Sequence, residues 1–396
     1  MIIMKIAIVG GSLQGIEATY LAKKAGFETV VVDKRNDAPA FSLSDGHISI
    51  DLTEQGSDMI RMFRDCDAVL PACEDINLLY RLNEVLSRSE IPFLFDMDSY
   101  MISSSKSASN RLMEVIGVPM PKKWQNCRYP VIVKPSSGSR GIGTTVAHSK
   151  NDVDGAVNKI LRMGDEPVIQ EFVTGKNVSK CIIGYGNRIR SFTTTESIPG
   201  PDHDCIAVRC SPNILSEERE EEFRKISERL AESIDLISLM DVEAIDTADG
   251  LKVIEMDARL PAQTPTALLS ATGVNILEEM ICPNLRKKTA AKVSSYEFFL
   301  IDGNRMTACG EMEFGNIRNP KTVPGLFGSD EMITDYVPGA RSWRCAVINS
   351  ANTEEQLERK RNECMERIMN ECETNRSAGT VSDAVRTHSH KAYGLS

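Results

Sequence analysis

The segment AIVGGSLQGIEATYLAKKAGFETVVVDK, which begins at residue 7, most strongly limits how this chain can fold. An apolar run leads into a glycine-rich turn, a helical pattern follows from about residue 13 to 25, and a second apolar run ends in an acid. The alternation continues to residue 95, with helices expected near 54–65 and 76–89 and strands expected at DAVLPA and PFLFD. Because parallel strands need a long crossover, usually a helix, this pattern predicts an N-terminal parallel α/β domain.

The glycine turn differs from the fingerprint of a dinucleotide site. That fingerprint is G-x-G-x-x-G, and its middle glycine lets the backbone approach the pyrophosphate. Here the turn is GGSLQG, with Ser12 in the place of that glycine. An NAD-binding dehydrogenase is therefore the weaker alternative, and we interpret the turn as a set of backbone donors for a substrate amino acid.

Length and composition exclude several classes of protein. A chain of 396 residues is too long for one ordinary core, so two or three domains are expected. The net charge of -10, from 56 acids and 46 bases, argues against a nucleic-acid or anionic-membrane surface. The eleven cysteines include no C-x-x-C pair, so we expect neither a zinc site nor a disulfide framework, and a reducing cytoplasm fits best.

The segment MDVEAIDTADGLKVIEMDAR, which begins at residue 240, carries the strongest chemical signal. Two alternating runs flank a turn at residues 248–250, which predicts a β-hairpin. Residues two apart on a strand share a face, so Glu255, Asp257 and Arg259 lie together, and the hairpin can bring Glu243 beside them. Clustered carboxylates need a cation, and oxygen ligands favour magnesium with phosphate. An exposed hairpin with alternating charges is the alternative.

A second signal is Lys134, which is followed by the loop PSSGSRGIG. Apolar runs flank this loop as in a β-hairpin, and its small residues can offer backbone N–H groups to a polyphosphate beside one fixed positive charge. The lysine precedes the glycines and no G-K-[ST] follows, so the loop is not the P-loop. The alternatives are a flexible surface hairpin and, for Lys106 after its serine run, an ordinary surface lysine.

Taken in order, Lys106, VIVKP with its glycine-rich loop, QEFVTG, D-V-E and E-M-D-A-R resemble the ATP-grasp ligases. The resemblance implies two α+β subdomains with ATP between them, and two magnesium ions. It implies ATP contacts from Lys106, Lys134, Ser137, Gly138, Ser139, Gly141 and an adenine edge of Glu171, Phe172 and Val173. It implies magnesium ligands at Glu243, Glu255 and Asp257, and catalytic roles for Lys134 and Arg259 at the transferring phosphoryl group.

Several longer runs are similar to the ligases of pyrrolysine biosynthesis, over roughly residues 4–280; they are GGSLQG, YLAKKAG, VVVDK, DAVLPACED and MDVEAIDTADGLKVIEMDARLPAQTPT. Those ligases join the carboxylate of 3-methyl-D-ornithine to the ε-amine of L-lysine through an acyl phosphate, with release of ADP and phosphate. The likeness implies substrate contacts at Leu13, Gln14, Asp51, Glu74, Ser179, Asp204, Arg259 and Thr264. One departure leaves the acyl substrate open: a Ser-x-Glu is expected after the adenine edge, and this chain has Ser179, Lys180 and Cys181.

The resemblance implies a chain of α/β and α+β units. They are an N-terminal parallel α/β (pre-ATP-grasp) domain at 1–100, a two-subdomain ATP-grasp core at 101–285, a smaller C-terminal domain at 286–378 and a flexible tail at 379–396. The C-terminal pattern predicts short strands and a charged helix near 353–375. The expected partners are L-lysine, 3-methyl-D-ornithine and a second copy of the chain in a homodimer, with no nucleic acid and no membrane.

Two further alternatives stay open beside the dehydrogenase. One is another ATP-grasp carboxylate-amine ligase or carboxylase, for instance of purine biosynthesis. The other is a non-catalytic regulator that binds a nucleotide, against which the intact set of acids and Lys134 argues.

Overall fold

The computed structural model describes residues 3–139, 141–201, 204–283 and 292–389, with side chains at all of them except residue 57 and residues 374–389. Three sequence predictions therefore fall partly outside the described residues. They concern Arg140 in the glycine-rich loop, the domain boundary at 285–286, and residues 390–396 of the predicted tail.

The N-terminal unit is a parallel sheet, as the sequence predicts. Its described strands stand in the order β3-β2-β1-β4 and pair in parallel throughout. The bounds are Lys5–Val9 for β1, Glu28–Asp33 for β2, Gly46–Ser49 for β3, Ala68–Pro71 for β4, Leu13–Lys24 for α1 and Ile76–Leu86 for α2. The carboxyl ends of β1 and β4 lead directly into the glycine turn and Glu74, so both lie at one edge of the sheet.

Three details of this unit differ from the prediction. Strand β3 was not expected, because its four residues alternate between half-buried and exposed and form no apolar run. The helix expected near 54–65 is a 3-10 helix over Ser57–Phe63. The strand expected at PFLFD is reduced to a bridge between Val69 and Phe93, and Pro92 has no N–H with which to continue the ladder.

The glycine turn is held by the unit's own residues. A side chain at Gly10, where φ is +111°, would place its Cβ 2.4 Å from the carbonyl oxygen of Ala72, so only glycine fits there. The backbone N–H of Gly11 donates to Asp33 at 2.6 Å, and Arg35 also pairs with Asp33. In a dinucleotide site an acid near this position binds the ribose. Here that acid is already bound to the turn, which weakens the dehydrogenase alternative further.

Two helices, α3 (Met97–Ser103) and α4 (Lys106–Ile116), lead into a small antiparallel sheet. Its described strands have the order β6-β5-β7, and α5 packs on it. The bounds are Val131–Pro135 for β5, Thr145–Ala147 for β6, Lys150–Arg162 for α5 and Pro167–Glu171 for β7. Strands β5 and β6 confirm the predicted hairpin around the glycine-rich loop.

The largest sheet forms the body of the molecule. Within the described ranges its main path is β13-β12-β8-β10-β11-β14-β18-β17-β16, with β9 beside β8 and β15 beside β14. Its first strands and the helices around them are β8 (Lys176–Gly184), β9 (Ile189–Ser191), β10 (Thr195–Pro199), β11 (Cys205–Cys210), α6 (Glu217–Ser233), β12 (Leu239–Thr247), β13 (Gly250–Asp257), α7 (Thr264–Thr272) and α8 (Ile276–Ile281). Strands β12 and β13 are the predicted acidic hairpin.

The C-terminal residues extend the same sheet instead of forming a sheet of their own. Strands β14 and β18 pair over ten residues each and join the earlier strands through β11. These two strands are longer than the short strands expected from the sequence, whereas β15, β16 and β17, with four residues each, match that expectation. The bounds are Val293–Asp302 for β14, Arg305–Ala308 for β15, Glu311–Phe314 for α9, Lys321–Pro324 for β16, Glu331–Thr334 for β17, Ser342–Ala351 for β18 and Glu354–Ser389 for α10.

The last helix is longer than the sequence pattern indicated. It continues past residue 375 to Ser389 and so enters the segment predicted as a tail. Along the part of the chain that is described, no helix is both long and apolar enough to cross a membrane.

Helix α1 ties the N-terminal unit to the large sheet. The side-chain amide of Asn275 donates to the Leu21 carbonyl at 2.7 Å, and the Tyr20 hydroxyl donates to Glu331 at 2.6 Å. One hydrophobic core runs from β1 and α1 through α7 and α8 to β14. These contacts fix α1, which begins just after the glycine turn, against the large sheet and its helices.

Candidate active site

A cavity of about 540 Å³ lies where the small sheet, strands β12 and β13 and the edge of the N-terminal unit meet. We call this cavity the cleft. Most of the residues that the sequence singled out line it, and they are Gln14, Glu74, Lys106, Lys134, Gly138, Ser139, Gly141, Glu171, Phe172, Val173, Glu243, Glu255, Asp257, Arg259 and Thr264. Residues up to 250 positions apart in the chain therefore converge, as the ATP-grasp resemblance implies.

Five predicted residues lie outside this lining; they are Leu13, Asp51, Ser137, Ser179 and Asp204. The side chain of Leu13 is only 2% exposed and packs in the hydrophobic core, because α1 turns that face inward. Asp51 begins a 3-10 helix, where its carboxylate accepts from the backbone N–H of Thr53 at 2.9 Å. Both side chains have structural roles in this conformation.

Ser137 and one carboxylate oxygen of Asp204 also bind residues of their own surroundings, whereas Oδ1 of Asp204 is buried with no hydrogen-bond partner among the described residues. The backbone N–H of Ser137 donates to Asp165 at 3.1 Å, and the Ser137 hydroxyl binds the same carboxylate. Asp204 accepts from the backbone N–H of Met312 at 3.2 Å at the start of α9. Their assignments to ATP and to the acyl substrate remain predictions.

Three acids and two bases form a charged cluster on the hairpin face. Glu243 on β12 lies directly opposite Glu255 on β13, as the alternation predicts. Lys106 forms an ion pair with Glu255 at 2.9 Å, and Arg259 forms one with Asp257 at 3.2 Å. The first turn of α4 thus delivers a lysine to the acidic hairpin, which the sequence did not indicate.

The three acids of this cluster outnumber its two bases. Burial and the neighbouring charge of Glu255 raise the pKa of Glu243 well above its usual range. Burial also raises the pKa of Asp257 to about 7, although Arg259 opposes the shift. Elevated carboxyl pKa values indicate a place where a bound cation would be stabilised.

The donor chemistry of Glu243, Glu255 and Asp257 fits magnesium, which prefers carboxylate oxygens and phosphates. Among the described residues, however, no three acids, histidines or cysteines are arranged to hold a metal ion. Glu255 and Asp257 pair with Lys106 and Arg259 instead. Glu255 and Asp257 would therefore have to release Lys106 and Arg259 in order to bind magnesium.

The two predicted lysines differ in their surroundings. Lys134 is buried on β5, and its Nζ donates to the carbonyl of Ile254 at 3.2 Å. Burial lowers the pKa of Lys134, while the charge of Glu255 raises it. Lys106 donates to the carbonyl of Gly138 at 2.6 Å, in the glycine-rich loop. Lys134 is thus held in the wall of the cleft by β13, and Lys106 contacts the glycine-rich loop.

Glu74 links three parts of the cleft. One carboxylate oxygen accepts from the Ser139 hydroxyl of the glycine-rich loop at 2.9 Å. The other forms an ion pair with Arg259 at 3.1 Å and accepts from the side chain of Gln14 at 3.3 Å. The N-terminal unit thus holds both the loop and the hairpin arginine through a single carboxylate.

The predicted adenine edge follows β7. Glu171 pairs with Lys252 at 2.8 Å, and the backbone N–H of Lys122 donates to it at 3.2 Å. Burial would raise the pKa of Glu171, but these two partners hold it below its usual value. Phe172 and Val173 continue into the cleft lining.

Sequence reasoning missed Asp241, Gln263 and Glu311, which also line the cleft. Asp241 could have been found, because it stands two residues before Glu243 and therefore shares its face of β12. Gln263 and Glu311 meet at 3.3 Å from distant parts of the chain, and no local pattern indicates that contact.

Comparisons with known proteins support the fold. A family described as ATP-grasp domain matches residues 103–263, and one described as PylC-like, N-terminal domain matches residues 6–94. A solved ADP complex of N5-carboxyaminoimidazole ribonucleotide synthetase has a TM-score of 0.68 at 18% identity, over 92% of this chain and 97% of that one. Biotin carboxylase from Campylobacter jejuni gives 0.69 at 16% identity, over 90% and 89%.

Curated relatives are more similar in sequence. The 3-methyl-D-ornithine–L-lysine ligase of Methanosarcina mazei is 36% identical over 273 residues, which are 69% of this chain and 70% of that protein. The enzyme of the same name from Methanosarcina barkeri is 35% identical over 69% of this chain and 71% of its own. On this likeness the chain belongs to the ATP-grasp carboxylate-amine ligases, in the family of the 3-methyl-D-ornithine–L-lysine ligases.

Proposed function

We propose that this chain joins the carboxylate of 3-methyl-D-ornithine to the ε-amine of L-lysine, a step of pyrrolysine biosynthesis, at the expense of ATP. The observation that carries the proposal is the convergence in one cleft of the lysines, acids and arginine that the family pattern requires. The family membership supports the choice of substrates.

A carboxylate does not acylate an amine directly, because the oxide that would have to leave the acyl carbon is a poor leaving group. Transfer of the γ-phosphoryl group to the carboxylate oxygen gives an acyl phosphate and ADP. Lys106, Lys134 and Arg259 place positive charge around the cleft, where they stabilise the charge of the transferring group. Glu243, Glu255 and Asp257 would hold magnesium, and the bound ion would supply Lewis-acid stabilisation of the phosphate charge.

The lysine ε-amine then attacks the acyl carbon, phosphate leaves, and the amine loses a proton to give an amide. The amine must be neutral to attack, although its reference pKa is about 10.4. The intermediate is also hydrolysed by water, so the cleft must close around it. The loop with Gly138 and Gly141, both at positive φ, can close over the cleft, and its contact between Ser139 and Glu74 supports that role.

The proposal extends to the cellular compartment, the substrate contacts and the assembly. The eleven cysteines are all free, which favours a reducing cytoplasm. We propose L-lysine contacts at Gln14 and Glu74 and acyl-substrate contacts near Arg259 and Thr264, because all four line the cleft. A homodimer is proposed from the resemblance alone.

The test is to incubate the protein with ATP, magnesium, L-lysine and either D-ornithine or 3-methyl-D-ornithine, and to follow ADP release and product mass. We expect ADP release that requires both amino acids, and a product with the mass of the amide. ADP release with bicarbonate but without lysine would favour a carboxylase instead. No lysine-dependent release with either acid would overturn the proposal.

A further inference from the structure

Two carboxylates bind the candidate catalytic arginine, Arg259, through one of its nitrogen atoms. Its Nη2 lies 3.2 Å from Asp257 on the same hairpin and 3.1 Å from Glu74 of the N-terminal unit. Both N–H groups of this nitrogen are thereby used, and the guanidinium charge is shared between two anions. A phosphoryl group therefore gains little from Arg259 until at least one of these acids lets go of it.

The two acids differ in what can remove them from Arg259. Asp257 is a candidate magnesium ligand, so a magnesium nucleotide can take over its carboxylate. Glu74 follows β4 in the N-terminal unit and is not one of the candidate ligands, so it would still hold Arg259 when the nucleotide is bound. Release of Arg259 from Glu74 therefore calls for a cation other than the metal.

The carboxylate of Glu74 is open to such a cation, because the side chain is partly exposed and lines the cleft. Its Oε1 also accepts from the side-chain amide of Gln14 at 3.3 Å, and the same amide lies 3.4 Å from the carbonyl oxygen of Leu260. Gln14 thus fixes this oxygen beside Arg259. An ammonium group that reached the oxygen would stand next to the guanidinium, and the two cations would compete for one carboxylate, since like charges repel each other.

We propose that Glu74 is a positioning residue that holds Arg259 back from the phosphoryl group until an ammonium group of L-lysine replaces the guanidinium at its carboxylate. This inference rests on the proposed function, because it assumes that L-lysine contacts Glu74. The arrangement protects ATP. Without the amine, water would attack the acyl carbon of the acyl phosphate, phosphate would leave, and the free acid would be regenerated with no amide formed.

The first test measures the Kd for L-lysine by calorimetry without ATP or magnesium. In Arg259→Met, L-lysine no longer has to displace a guanidinium from Glu74. We therefore expect the Kd to fall about tenfold, a value between the effects of exposed and buried ion pairs, because the side chains of this pair are 14% and 29% exposed. The matched control is Lys106→Met, which removes a cation that pairs with Glu255 in the same cleft. We expect this control to change the Kd by less than about threefold.

The second test measures ADP release from magnesium ATP and 3-methyl-D-ornithine, with and without L-lysine. In Glu74→Gln the ion pair is lost, so Arg259 is available from the start. We expect ADP release without L-lysine to rise about tenfold over that of the wild type, and the stimulation by L-lysine to fall by a similar factor. A residue that only binds L-lysine would lose the stimulation without this rise. Glu90→Gln, at an exposed position of the same unit, is expected to behave as the wild type.

Ser139→Ala separates the ion pair of Glu74 from its contact with the glycine-rich loop. The substitution removes the hydroxyl that donates to the other oxygen of Glu74 at 2.9 Å, and it leaves the pair with Arg259 in place. We expect no rise in ADP release without L-lysine in this variant. A rise equal to that of Glu74→Gln would assign the effect to the loop contact and overturn the inference.

Three further results overturn the inference while the proposed function stands. They are a Kd for L-lysine that is unchanged or higher in Arg259→Met, a Kd that falls equally in Lys106→Met, and no rise in lysine-independent ADP release in Glu74→Gln. The two tests use different substitutions, so the failure of one variant to fold leaves the other test decisive. Absence of lysine-dependent ADP release in the wild type would instead overturn the proposed function itself.

Discussion

Glu17→Gln tests how the first helix is anchored to the wall of the cleft. Glu17 is fully buried on α1, and its Oε1 accepts from the backbone N–H of Thr266 at 2.8 Å. Thr266 lies in the first turn of α7, two residues after Thr264 in the cleft lining. Burial raises the pKa of Glu17 from 4.5 to about 8, although the hydrogen bond opposes the shift. The folded protein therefore keeps this carboxyl protonated at neutral pH.

The contribution of Glu17 to stability falls as the pH rises, because the pKa of its carboxyl is about 8 in the folded protein and 4.5 in the unfolded chain. The folded state binds the proton more tightly than the unfolded chain, so the contribution of Glu17 to stability is fully present below pH 4.5 and is lost as the pH rises through about 8. Each pH unit within this window costs about 1.4 kcal/mol. From about pH 5.5 to about pH 8.5 the loss is about 3 kcal/mol.

Glutamine has the same shape and no proton to lose. As the pH rises from about 5.5 to about 8.5, we expect the free energy of unfolding of Glu17→Gln to increase by about 3 kcal/mol relative to that of the wild type. For a chain of this size the increase corresponds to about 4 °C in Tm. The assay is a pair of thermal melts for the wild type, Glu17→Gln and Glu90→Gln, an exposed control. A Tm difference between Glu17→Gln and the wild type that is equal at both pH values would refute the reasoning.

Three further predictions concern the cleft. Glu255→Gln should abolish ADP release while leaving the fold intact, because a candidate metal ligand is lost; a wild-type rate would remove that assignment. Lys134→Met should raise KM for ATP by about 10- to 100-fold, since a buried charge is lost, and ATP titrations of initial rate would show an unchanged KM if Lys134 does not contact phosphate. Glu74→Gln breaks the ion pair with Arg259 and weakens the contact with Ser139. It should make the glycine-rich loop more sensitive to limited proteolysis and raise KM for L-lysine, and equal cleavage rates with and without the substitution would contradict the loop contact.

Local periodicity was sufficient for the acidic hairpin. A two-residue alternation predicted that Glu255, Asp257 and Arg259 share a face, and the register confirms that Glu243 lies opposite Glu255. The same rule, applied to the residue two positions before Glu243, would have found Asp241.

Contacts between distant segments could not be predicted in this way. The pairing of β11 with β14 joins segments about 90 residues apart and makes the C-terminal strands part of the large sheet. The ion pair of Lys106 with Glu255 likewise depends on how α4 is placed against β13. Such placements depend on packing between units, which leaves no periodic signal in either segment.

The charge of the cleft limits the form in which ATP can enter. Its described lining contains seven acids and three bases, namely Glu74, Glu171, Asp241, Glu243, Glu255, Asp257 and Glu311 against Lys106, Lys134 and Arg259. A free triphosphate would be repelled by this excess, whereas a magnesium complex brings cations to the carboxylates that need them. Lys106 and Arg259 would then be released from the acids and become able to contact phosphate. The same excess of acids attracts amino acids that carry extra ammonium groups, so a single charge pattern favours both the metal nucleotide and the proposed diamino substrates.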